Sequence, residues 1–167
     1  NDSDGDVIWG DAPNTSEMII EYLIDRTGRL SSPDDVMLTR CAVVNIESHA
    51  DGPCGYAIVV MIDDGSDRVR ALLSDSVFRS LTGHGREEFS ALTRERGACT
   101  QLKQVLSRAS WDLARFDGLV WVGPTSPREG PQAPSVTVVR ADSRASMVAP
   151  SLLERISESL FDVEDGS

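Results

Sequence analysis

Cys41, His49 and Cys54 carry the side chains that a structural zinc would use. Their spacing, C-x7-H-x4-C across one hairpin, lacks the close C-x2-C pair that lets a single turn present two ligands. Two buried or half-buried thiols and a loop histidine account for them better than a zinc site does. His84 stands between Gly83 and Gly85, a turn rather than a base poised over a nucleophile. No Ser or Cys has the neighbours of an activated nucleophile. The acid pairs Asp34-Asp35, Asp63-Asp64 and Glu87-Glu88 fall at turns and helix starts, where capping and solvation explain them. There is no P-loop, and no G-x-G-x-x-G follows a strand and opens a helix. The chain is therefore expected to be a non-enzyme without metal or cofactor.

The elements that must position any site are clearer. VMLTRCAVVNIE (36–47) and GYAIVVMID (55–63) read as paired strands. The turn Asp63-Asp64-Gly65 leads to a third strand, RVRALL (68–73). SDSVFRSLTG (74–83) is a capped helix with Ser74 as N-cap, Val77, Phe78 and Leu81 inward and Gly83 as its stop. Helices at 86–97 and 100–118 follow, the second with a stripe of Leu102, Val105, Leu106, Ala109, Leu113 and Phe116. GLVWVG (118–123) and SVTVVR (135–140) are the last strands, joined by the proline-rich loop 124–134. Three strands, helices and two strands is the order of an OB-fold, a five-stranded Greek-key barrel. The fold class is mostly β with helices.

Outside the barrel, Ser16 is expected to cap an N-terminal helix, SEMIIEYLIDRTG, with Ile19, Ile20, Leu23 and Ile24 on one side. SLLERISESLF (151–161) is amphipathic, with Pro150 suited to its first turn and Leu152, Leu153, Ile156 and Leu160 along one edge. The expected layout is a flexible acidic leader at 1–15, an OB-fold domain at 16–161 that includes an interaction helix at 150–161, and an acidic tail at 162–167.

At 167 residues, 40% of them apolar, the chain can bury a core without staples. No stretch has the apolar length of a membrane span. The leader carries Asp2, Asp4, Asp6 and Asp11 and no base, unlike a signal peptide. The missing initiator Met implies a piece of something longer. Three irregularly spaced cysteines fit a reducing, intracellular setting. The formal net charge of −11 opposes phosphate contact, since each neutralised phosphate needs a base.

Two binding features stand out. The second strand is apolar on both faces, Tyr56, Ile58, Val60 and Ile62 alternating with Ala57, Val59 and Met61, so both faces should be covered. Arg68 and Arg70 share one face of the third strand, with Tyr56 nearby, close to where OB-folds take nucleic acid. Pairing with local acids such as Asp67 would silence them. The edge Leu152, Leu153, Ile156 and Leu160 would either fold back on the barrel or pack on a partner's helix, and partner packing is favoured because helical sequence at 74–116 already plugs the barrel.

From Ser16 to Leu160 the chain resembles the C-terminal OB-fold of RecQ-mediated genome instability protein 1. The likeness runs through MIIEYLI, YAIVVMIDDGS, RVRALLSDSVFRSLTGHG, REEFSAL, LKQVLSRASWDLARFDGLVWVG and SLLERISESL. The resemblance implies a scaffold that heterodimerises with a second small OB-fold subunit, partly through terminal helices. It implies a complex with a RecQ-type helicase and a type IA topoisomerase that dissolves double Holliday junctions in homologous recombination. It further implies docking of repair-protein peptides, weak or no direct DNA binding, and a nuclear location. The segments that contact the topoisomerase in that family are absent here, so helicase and topoisomerase contact is expected through other regions. The alternative is a single-stranded nucleic-acid-binding OB domain using Tyr56, Arg68 and Arg70.

Overall fold

The computed structural model describes residues 8–10, 19–95, 97 and 99–143. The barrel strands are β2 (Met37–Gly52), β3 (Gly55–Asp63), β4 (Arg68–Leu73), β5 (Asp117–Pro124) and β6 (Val136–Asp142). Their order closes on itself: β2 pairs with β3, β3 with β4, β4 with β6, β6 with β5, and β5 with β2. Only β4–β6 is parallel, the other ring pairings being antiparallel. This is the OB-fold barrel that the element order predicts.

The strand bounds of β3 and β4 agree with the pattern of alternation, and β2 runs longer than expected, to Gly52. Tyr56, Ile58, Val60 and Ile62 enter the core, as do Ala71 and Leu73 of β4. Between β4 and β5 the chain forms α2 (Asp75–Thr82), α3 (Arg86–Thr93) and α4 (Cys99–Ala114). In α2, Ser74 Oγ accepts from the Val77 N–H, and Gly83, at φ 82°, accepts the left-handed stop. Phe78 and Phe89 are fully buried and meet Tyr56 at centroid separations of 5.9 and 4.9 Å, an aromatic cluster that seals one end of the barrel. Leu102, Ala109 and Leu113 are the buried stripe of α4, and Phe116 follows it inward.

Two expectations at the N-terminal side need correction. Within the leader, Ile8–Gly10 form a short strand, β1, antiparallel to the end of β6, with Trp9 buried 5.2 Å from the Phe116 ring. Three residues carry no periodicity, so the strand had no local signal. Of the helix expected over 16–28, the described residues form one turn, α1 (Leu23–Arg26), followed by a 3-10 turn at Thr27–Arg29. Ile20 instead makes a parallel bridge to Leu38, and the Glu21 N–H donates to the Leu38 carbonyl at 2.7 Å. Ile20 packs on Leu38, Leu119 and Trp121 outside the barrel, while Ile19 and Ile24 are exposed. β-branched residues suit that extended path.

A buried carboxylate starts α1. Asp64, in the β3–β4 turn, accepts the Leu23 N–H at 2.7 Å and the Thr39 hydroxyl at 3.3 Å. It also accepts from Ser66 Oγ at 2.6 Å and from the Ser66 and Asp67 N–H groups at 2.8 and 3.2 Å. Far from a solvated turn acid, it joins the turn, β2 and the N-terminal segment. Asp64→Ala should lower unfolding stability by about 3 kcal/mol, because it strands buried donors. Urea unfolding measures this, and a loss under about 1 kcal/mol would show that the turn holds without it.

Candidate protein-docking cleft

The outer face of β3 and β4, the tip of the β2–β3 hairpin and the β5–β6 loop enclose a cleft of about 670 Å3. These are the strands and loops through which OB-folds take ligands. Its floor is apolar: Ala57, Val59 and Leu72 form a buried cluster on the outside of the barrel. Pro53, Ala133 and Pro134 continue that surface up the walls. The double apolarity of β3 is thus explained, the inner set facing the core and Ala57 and Val59 of the outer set flooring this cleft.

The charged groups of the cleft are paired with one another. Arg70 makes a bidentate contact to Glu47, Nε and Nη2 each 3.1 Å from a carboxylate oxygen. That guanidinium holds the Glu47 carboxyl below its ordinary value. His49 lies 3.4 Å from the same carboxylate. Arg86 is nearly buried and contacts Glu129 through both terminal nitrogens, at 2.7 and 2.8 Å. Its Nε donates to the Tyr56 carbonyl at 2.9 Å, and its backbone N–H donates to Asp75 at 2.8 Å. Burial alone would push the Arg86 guanidinium down, but the Glu129 carboxylate outweighs it and leaves it raised.

Local sequence explains how Arg86 reaches this place. Gly55 opens β3 at φ 110°, and a Cβ there would stand 2.6–2.7 Å from the Arg86 carbonyl group. Only glycine lets the hairpin tip press against the start of α3. From the other side, Ser126 caps a 3-10 turn, Pro127–Glu129, which aims Glu129 at the guanidinium. The proline-rich loop, without an assignment in the sequence, is thereby a fixed wall. Cys54 sits beside this pair and donates weakly to the Arg128 carbonyl at 3.6 Å. Burial, and then the Glu129 carboxylate, push its thiol up, which disfavours the nucleophilic thiolate.

The residues singled out for nucleic acid fare unevenly. Tyr56 does not face a ligand: it is buried with Phe78 and Phe89 because its position shares the inward parity of Ile58 and Val60. Arg68 is exposed but bridges to Asp63 at 2.8 Å, its cross-strand neighbour, while its N–H donates to Asp67. Arg70 is in the cleft, bound to Glu47. Leu152, Leu153, Ile156 and Leu160 lie outside the described residues. Cys41 is buried, Cys54 half-buried and Cys99 exposed, and no group of metal-ligating side chains occurs among the described residues. No described helix is long and apolar enough to cross a membrane.

Two measurements check this electrostatic account. Glu129→Ala should cost about 3–5 kcal/mol, since it leaves the Arg86 charge buried without its partner. The double variant Arg86→Met, Glu129→Leu should recover the larger part of that loss in the same unfolding assay, and an additive loss would contradict the pairing. The Arg86 N–H, ahead of Arg79, holds the Asp75 carboxyl below its ordinary value. A depressed folded-state value stabilises above the unfolded value, about pH 3.9, and that support is lost as pH falls through the folded one. Asp75→Asn should therefore flatten the acid limb of the stability–pH curve, and parallel limbs would contradict the assignment.

Residues 19–156 match the family described as RecQ-mediated genome instability protein 1, C-terminal OB-fold. Among curated proteins none matches the chain. The chain belongs to that OB-fold family.

Proposed function

We propose that this member of the family is a non-catalytic scaffold. It pairs with a second small OB-fold subunit and docks repair-protein peptides within a RecQ helicase–type IA topoisomerase complex. The complex acts in double Holliday junction dissolution, in the nucleus. The family match supports a place in RecQ-mediated genome stability. One structural observation carries the choice of protein over nucleic acid as ligand: the cations of the OB cleft are spent on internal acids above an apolar floor.

A single-strand binder needs free bases along a groove and aromatic faces for stacking. No Phe, Tyr or Trp lines this cleft, and its one imidazole, His49, lies against the Glu47 carboxylate. Tyr56, the nearest candidate, is packed into the core. An apolar floor with self-satisfied walls suits an aliphatic peptide, whose side chains bury area without having to displace phosphate counterions.

The subunit pairing is assigned to Leu152, Leu153, Ile156 and Leu160, on the strength of their spacing at one helical edge. Co-expression with the second OB-fold subunit tests it. Leu153→Asp with Ile156→Asp should abolish co-purification while the circular dichroism and cooperative melting of the barrel persist. If the double variant unfolds, the helix belongs to the barrel's own core and the pairing has lost its basis.

A further inference from the structure

β2 changes partners along its length. Met37–Ala42 pair with β5 on one side, and Ala42–Gly52 pair with β3 on the other. From Val43 onward, the edge that β5 occupied has no strand partner among the described residues. The changeover is marked by a bulge. Val43 pairs with Ile62 and Asn45 with Met61, so Val44 is the extra residue, 44% exposed. A bulge bends a strand and re-aims its edge.

That edge faces α4 across a groove of about 530 Å3. Val43, Val44 and Ile46 line the strand side, and Leu106, Ser110 and Ala114 line the helix side. None of the groove's lining residues is charged. Its rim is basic. From Cys99 to Arg115 the chain carries Lys103, Arg108 and Arg115 against one acid, Asp112, in a protein of net charge −11. Asp112 bridges to Arg108 at 3.7 Å, and Arg115 stacks on the exposed Trp111 ring at 5.3 Å. Glu47, the nearest strand acid, is engaged by Arg70. Lys103 lies on the same helical stripe as Ser110 and Ala114, at i, i+7 and i+11.

We propose that the open edge of β2 from Val43 to Ser48, together with Lys103 of α4, takes an extended acidic segment of a partner protein as an added strand. The edge supplies main-chain hydrogen bonds. The uncharged groove takes alternate aliphatic side chains of the segment, and Lys103 meets one of its carboxylates. Exposed strand edges otherwise invite unspecific pairing, and the bulge at Val44 restricts this one. The surface is separate from the β3–β4 cleft and from the terminal helix, so the proposal stands or falls independently of the subunit pairing.

The test is an amide NMR titration of the nitrogen-labelled full chain with an end-blocked peptide of alternating valine and glutamate. Saturable shifts should concentrate at 43–48 and along α4, weaken with salt, and be far smaller with the valine–lysine counterpart. Lys103→Glu should raise the dissociation constant by about two- to five-fold, the effect of one exposed charge pair. Lys103 is exposed on the helix surface, so the variant should melt like the parent. Absence of shifts at millimolar peptide overturns the proposal. So do shifts centred on Ala57, Val59 and Leu72, or equal response to the lysine peptide. If single-stranded oligonucleotide shifts these residues and the peptide does not, the patch is a nucleic-acid surface and the proposal is wrong.

Discussion

The Arg86 guanidinium is the constraint on which the cleft depends. It is nearly buried, so it is tolerable only if its donors are used, and they are: Nε on the Tyr56 carbonyl and the terminal nitrogens on Glu129. Each bond fixes a different part of the cleft. The first ties the start of α3 to β3. The second pins the proline-rich loop as a wall. The close approach at Gly55 locks the hairpin tip against the same residue. A barrel of this topology would close without Arg86, but its ligand face would lack a defined shape.

The same pairing decides what the face can bind. Proteins that hold single strands leave their bases free and put aromatics between them. Here Arg70 and Arg86 are each bidentate to an acid, Arg68 is bridged to Asp63, and the aromatics near β3 seal the barrel end instead. Recruiting these arginines to phosphate would strand Glu47 and Glu129, the latter in a mostly buried position. Apolar area remains as the source of affinity, and burying apolar area is how protein partners are held.

Elements with local signals were legible in the sequence. The Asp63-Asp64-Gly65 turn, the alternation of β3 and β4, the Ser74 cap and the Gly83 stop are each written within a few residues, and the structure places them so. What was not legible depends on distant partners. Asp64 reads as a turn acid, yet Leu23 and Thr39 make it a buried anchor. Ile20 reads as helical, yet a bridge to Leu38 holds it extended. Glu129 and Arg86 stand 43 positions apart, and nothing local joins them. Tyr56 was legible: its parity with Ile58 and Val60 points it inward, and the structure buries it there.

The central claim is that the OB cleft is electrostatically self-satisfied and docks protein. Fluorescence anisotropy of a labelled single-stranded oligonucleotide with this chain, at low and at moderate salt, tests it most directly. The account predicts no binding at either salt concentration. Tight binding that weakens steeply with salt, and is lost when Arg68 and Arg70 are both replaced by alanine, would contradict it.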